Sequence, residues 1–247
     1  MSALPAAGPR RRRRHDAPGS ALPPAAPVVG LTDAERRATH MVTSLLLDYP
    51  RERTVQEESD IDAAVAGLPE PVRTSLAAFR EQTSCMRLSD VEAHYVQTFD
   101  LKRRCALYLT YYQAGDTRRR GMALVTFVEA YRAAGWEPEP DELPDYLPTV
   151  LELSARTADP VAHQLLAAHR DGIEVLRSSL HDLGTPYAHL LDAVCATLPE
   201  IDAAAEARLV ALINAGPPTE TVGLSLVAAQ AALAPYGAPG ADRSELS

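Results

Sequence analysis

Signals that open and close helices recur along this chain at helix-length intervals, and no other feature restricts its fold as strongly. Thr32-Asp-Ala-Glu35 is a capping box, in which the threonine and the glutamate each satisfy a free backbone N–H at a helix start. The helix it opens runs through Leu45, Leu46 and Leu47 and has to end near Tyr49-Pro50, because the residue before a proline disfavours the helical conformation. Thr54-Val-Gln-Glu57 opens a second helix, and Pro69 or Pro71 begins a third that reaches about Ser84. Ser89-Asp-Val-Glu92 caps a fourth, on which Tyr95 and Phe99 share one face four residues apart.

Farther on, Arg104 to Tyr112 is too short for periodicity to separate helix from strand, and its helical neighbours make helix the expectation. Asp116 is a good N-cap and Gly135 a good stop for the helix between them. Met122, Leu124, Val125, Phe127, Val128 and Tyr131 cover most of that helix's circumference, which predicts a buried, central position. Gly121 costs about 1 kcal/mol there relative to alanine, which predicts close approach of another helix. Trp136 to Asp145 forms an acidic loop spaced by prolines, and Tyr146 to Arg156 forms the next helix. Asp159-Pro160 starts another that Gly184 ends, and Thr185-Pro186 starts one more. Glu200 to Asn214 is the last well-signalled helix, and the alanine-rich sequence after Thr219 is poorly capped. The expected organisation is a basic Pro/Ala-rich tail over residues 1–30 and a single helical domain over 31–215. A tail or one further helix then occupies 216–247.

Composition agrees with an all-α, single-domain helical bundle. Hydrophobic residues make up 46% of the chain but aromatics only 5%, which suits helices packed through alanine and aliphatic side chains. Three unevenly spaced cysteines, Cys85, Cys105 and Cys195, argue for reduced thiols in the cytoplasm and against a disulfide framework or a zinc site. Each is expected to be a small buried hydrophobe.

Charge is unevenly spread. The total is −9, yet the first thirty residues carry +4 through Arg10 to Arg14, and Tyr95 to Gly135 carries another +4, leaving −17 elsewhere. A body this acidic repels nucleic acid and anionic membranes and attracts basic partners. The arginine run is followed by polar and helix-breaking residues where an export signal needs an apolar stretch, so it is expected to be a solvated tail.

Signatures of catalysis are missing from the sequence. There is no Gly-x-x-x-x-Gly-Lys, Gly-x-Gly-x-x-Gly, Gly-x-Ser-x-Gly or His-Glu-x-x-His, and the seven histidines are scattered. A helical enzyme with dispersed carboxylates is the alternative from another class; turnover abolished by single carboxylate changes would be its signature. What stands out instead is the stretch from Tyr95 to Pro148, which has the character of a binding surface. Arg118, Arg119 and Arg120 lie in the first turn of the Asp116 helix, where each exposed cation costs roughly 0.3 to 1 kcal/mol against the helix dipole. They either pair with internal carboxylates such as Asp100 and Asp145 or meet a carboxylate of a partner.

Three pieces of this stretch stand in order: Tyr95-x-x-x-Phe99-Asp100, Asp116-Thr-Arg-Arg-Arg-Gly-Met-Ala-Leu124 and Glu142-Leu-Pro-Asp-x-Leu-Pro148. Together they resemble the NarJ-type chaperones that assemble respiratory nitrate reductase. The resemblance spans Leu31 to about Ala215 and neither tail. Relatives serving other molybdenum enzymes, the TorD type, often carry Glu-Pro-x-Asp-His where this chain has Glu142-Leu-Pro144-Asp145-Tyr146, so the departure suits the nitrate reductase branch.

That resemblance implies a cytoplasmic chaperone without a cofactor of its own. Its partners would be the N-terminal segment of the catalytic (alpha) subunit of nitrate reductase and the molybdenum cofactor donor proteins, with no nucleic acid and no stable membrane insertion. A basic, apolar client segment would suit a helical groove with an acidic rim, for which Glu142 and Asp145 are the candidates. Tyr95, Phe99, Leu101, Tyr108 and Leu143 are the candidate floor, and Asp100 and Arg104 complete the expected client-binding set with the three arginines. A chaperone for another molybdenum oxidoreductase of the same family is the nearer alternative.

Overall fold

The computed structural model describes residues 30–114, 118–138 and 141–199. Among them run ten α-helices: α1 Asp33–Leu47, α2 Val55–Ala66, α3 Val72–Thr83, α4 Leu88–Tyr95, α5 Leu109–Ala114, α6 Arg118–Ala133, α7 Leu147–Arg156, α8 Val161–Ala168, α9 Arg170–Leu183 and α10 Tyr187–Thr197. No strand forms among the described residues, so the chain is all-α as expected; one isolated antiparallel bridge joins Tyr108 to Tyr146. The two tails, the expected helix from Glu200 to Asn214, the Asp116 cap and the side chains of Arg118 and Arg119 lie outside the described residues.

Both capping boxes form. Glu35 N–H donates to Thr32 Oγ1 at 3.2 Å while Thr32 N–H donates to the Glu35 carboxylate at 2.7 Å, and Thr54 with Glu57 repeats the geometry at 3.2 and 2.7 Å. Each such cap is worth about 1 kcal/mol. Two helices stop at glycines in the left-handed conformation, Gly135 with φ 79° after α6 and Gly184 with φ 63° after α9. After Gly184 the paired bonds Gly184 N–H to His181 O (2.9 Å) and Thr185 N–H to Leu180 O (3.3 Å) satisfy carbonyls that the helix end would leave free.

The centre of the bundle is α10. It packs on α1, α3 and α9 and buries Leu190, Leu191, Ala193, Val194, Cys195 and Ala196. Its first residue, Tyr187, is an aromatic hub, with the Phe79, Phe99 and Tyr95 rings centred 5.3, 4.8 and 5.9 Å away. On another side α1 packs along α7. A buried ionic chain then locks α9 to α10: Arg170 pairs with Glu174 at 3.1 Å, Glu174 with Arg177 at 2.7 Å, and Arg177 with Asp192 at 3.0 Å. Arg170 also donates to the carbonyls of Leu198 and Pro199, where α10 ends.

Several expectations are corrected. The helix expected to be central, α6, is peripheral: it buries Phe127, Ala130 and Tyr131 toward α5 and α8, while Met122 is 78% exposed. A broad apolar stripe does not force burial, because about half of any folded surface is apolar. Open space surrounds Gly121, whereas a Cβ on Gly172 would meet the Tyr112 Cβ at 3.0 Å, so the close crossing is that of α5 with α9. Ser89 does not cap α4; Arg87 occupies that position and pairs with Asp90. The expected single helix up to Gly184 breaks at His169, so that α8 packs on α7 and α6 while α9 turns toward α10 and α5. Arg104 to Tyr112 is not one helix but a short 3-10 turn over Arg103–Cys105, an extended link and α5. Cys105 and Cys195 are buried as expected, whereas Cys85 is exposed.

Candidate functional site

Described residues of the three motif pieces meet on one side of the bundle, Tyr95 bonding to Tyr146 and Arg120 lying over the neighbouring Tyr108. A π-helical turn over Val96–Asp100 continues α4 and keeps Tyr95 and Phe99 in tilted contact, their rings 4.8 Å apart. The extended link brings Tyr108 to Tyr146, whose rings lie 5.5 Å apart, and Leu147 N–H to Leu107 O (2.8 Å) with Leu109 N–H to Asp145 O (3.0 Å) tie the link to the start of α7. The Tyr95 and Tyr146 hydroxyls are 2.9 Å apart, and Tyr146 donates to Asp48 Oδ1 at 3.3 Å. Burial raises the pKa of both phenols, so they act only as neutral hydrogen-bonding groups near neutral pH.

The sequence-predicted residues divide among several placements. Asp145 was expected on the rim; it is 0% exposed, and its Oδ2 accepts the Thr110 N–H at 3.0 Å and the Thr110 hydroxyl, capping α5 from within. Tyr95 and Phe99 belong to the core around Tyr187 rather than to an open floor. Arg120 Nε donates to Thr110 Oγ1 at 3.3 Å and its guanidinium lies 5.7 Å from the Tyr108 ring centre, so it joins the cluster that holds Asp145. Glu142 is at the surface edge, accepting from the Tyr108 hydroxyl at 3.2 Å and from Leu143 N–H at 2.8 Å, with Leu143 partly exposed beside it. Asp100 and Leu101 are exposed, and Arg104 lines a separate basic cleft with Lys102 and Arg103 at the end of α9.

Alongside Glu142 opens a cleft of about 540 Å³, within the range of small-ligand pockets. Its walls come from the end of α1 (Asp48), the end of α6 (Tyr131, Trp136, Glu137), the acidic loop (Glu142) and one face of α7 (Tyr146, Thr149, Glu152, Leu153, Arg156). The carboxylates Asp48, Glu137, Glu142 and Glu152 outnumber the one arginine. Trp136 is placed there by the stop signal of α6: Gly135 N–H bonds to Arg132 O (3.0 Å) and Trp136 N–H to Tyr131 O (2.9 Å), the reversal that Gly135 allows. Asp48, Tyr131, Trp136, Glu152 and Arg156 escaped the sequence reading. The i, i+3, i+7 spacing of Thr149, Glu152 and Arg156 along α7 was the available signal.

No group of three or more metal-ligating side chains gathers among the described residues, and no described helix is long and apolar enough to cross a membrane. The described residues thus form an all-α bundle with an acidic, aromatic cleft on one side. Residues 65–193 match the family model described as nitrate reductase delta subunit. The chain belongs to this family.

Similarity to individual relatives agrees with that placement. The chain is 31% identical over 172 residues to the probable nitrate reductase molybdenum cofactor assembly chaperone NarJ of Bacillus subtilis, covering 69% of this chain and 94% of that one. It is 30% identical over 155 residues to the nitrate reductase molybdenum cofactor assembly chaperone NarJ of Escherichia coli K12, covering 62% and 66%. Against the nitrate reductase-like protein NarX of Mycobacterium tuberculosis H37Rv the identity is 40% over 157 residues, but the match spans only 23% of that longer protein.

Proposed function

We propose that this protein is an assembly chaperone for respiratory nitrate reductase, not an enzyme. It binds the N-terminal segment of the immature catalytic (alpha) subunit in the cytoplasm and assists molybdenum cofactor insertion before the enzyme attaches to the membrane. Molybdenum cofactor donor proteins are its further partners, and it holds no cofactor itself. The observation that carries this reading is the acidic, aromatic cleft lined by Glu142 and Tyr146 of the third motif piece. A basic, partly apolar segment complements it, with cations against Glu142, Glu137, Glu152 and Asp48 and apolar groups against Tyr146, Trp136 and Leu143. Tyr95 serves client binding by holding Tyr146 of the cleft wall, Phe99 packs against Tyr95, Asp145 fixes the start of α5, and Arg120 lies over the Tyr108 ring. Release requires the immature client to bind more tightly than the mature one, since a ligand shifts an equilibrium only by its differential affinity.

Calorimetric titration with a synthetic peptide of the catalytic subunit's N-terminus tests the proposal. One-to-one binding that weakens with added salt is expected. Absence of binding by protein with an intact helical spectrum overturns it.

A further inference from the structure

Within the cleft the chain's own Arg156 already occupies a seat for a cation. Its guanidinium lies 5.9 Å from the Trp136 ring centre and its Nε is 2.7 Å from Glu152 Oε1. The arrangement has two parts that guanidinium recognition uses, an aromatic face and a carboxylate. Tyr131 borders the same cleft, with its hydroxyl buried and bonded to no described group. The Glu152 carboxylate is near enough for its charge to add to burial in raising that phenol's pKa. Glu137 and Glu142 leave the surroundings negative even with Arg156 in place.

Arg156 is a weakly held occupant. Its side chain is half exposed, it stands in the last turn of α7, and its ion pair with Glu152 is of the solvent-exposed kind that contributes little to stability. An incoming guanidinium can take the ring face and the carboxylate while Arg156 swings into water, and no helix has to move.

We propose that the Trp136 and Glu152 side chains form a guanidinium seat for an arginine of a bound segment, which Arg156 fills and thereby weakens when no partner is present. The inference rests on the chaperone reading for the source of that arginine, but the seat can be tested without the client.

N-acetyl-arginine amide is titrated against the full chain, with N-acetyl-citrulline amide as the neutral isostere, and the emission of the sole tryptophan, Trp136, reports occupancy. The expected result is a saturable change with the arginine probe and none with citrulline. Removing the internal competitor in Arg156→Gln tightens the arginine probe about threefold to tenfold, and Glu152→Gln weakens it by a similar factor. Arg156→Lys, which retains a charge but lacks the planar fork, falls between the wild type and Arg156→Gln. Equal affinity of the wild type and Arg156→Gln, or equal affinity for the two probes, overturns the seat. The client peptide titrated against the same proteins separates the two readings. Client binding that is unchanged by Arg156→Gln removes the seat and keeps the chaperone; arginine-probe binding without client binding does the reverse.

Discussion

The hydroxyl of Tyr108 donates to Glu142 Oε1 across 3.2 Å, joining residues thirty-four positions apart and fixing the acidic loop against the extended link before α5. Glu142 also lines the cleft, where a basic segment is proposed to bind. Glu142→Gln is therefore expected to weaken the client peptide about threefold to tenfold at low salt, with the difference shrinking as salt screens it. Titration at two ionic strengths checks this, and the melting temperature should barely change.

Asp145→Asn should behave in the opposite manner. The buried carboxylate accepts both the N–H and the hydroxyl of Thr110, so the amide replaces charge-assisted bonds at the start of α5 with weaker ones. A loss of about 2 kcal/mol, or roughly 5 °C in melting temperature, is expected. Urea unfolding measures it. Equal stability of variant and wild type would return Asp145 to a surface role.

Two glycines form a contrasting pair. Gly121 lies in α6 with open space around it, so Gly121→Ala should stabilise the protein by roughly 0.5 to 1 kcal/mol through helix propensity. Gly172→Ala places a methyl 3.0 Å from Tyr112 Cβ and should destabilise by about 1 to 3 kcal/mol. Thermal unfolding of both in parallel is decisive, since a helix-propensity effect alone would move them the same way.

Acid sensitivity should centre on His40. It is fully buried among Ser154, Thr197, Arg36 and His163, with ring nitrogens 2.9 and 2.8 Å from the two hydroxyls, and burial first, then the nearby Arg36 charge, holds its pKa down to about 3. The unfolded histidine takes up a proton near pH 6.5 while the folded one does not, so its contribution is complete above that pH and diminishes as pH falls toward 3. Each pH unit in that window removes about 1.4 kcal/mol. His94, His163 and His169 are lowered as well, mainly by burial, and act in the same direction. Urea midpoints from pH 7 to 4 should fall less steeply in His40→Gln than in the wild type; parallel slopes would show that His40 is not responsible.

Much of this molecule was written in local sequence. Thr32 with Glu35, Thr54 with Glu57, Pro50, Gly135 and Gly184 act within one helical turn, so their meaning does not depend on what packs around them, and the helices begin and end where they direct. The resemblance of the Tyr95 to Pro148 stretch likewise marked the family to which the chain belongs. Other features were settled only by packing. Asp145 and Glu142 are both carboxylates in one acidic loop, yet one is sealed against Thr110 and the other borders the cleft, because the link from Leu107 to Leu109 bonds to the backbone of Asp145 and Leu147. The apolar stripe of α6 suggested a centre, but α10, buried along nearly all its length against α1, α3 and α9, holds that place instead. The cleft joins residues from Asp48 to Arg156, and no local pattern specifies that meeting. Caps and stops are short-range hydrogen-bonding rules that a sequence carries openly, whereas burial and convergence are properties of the whole packed chain.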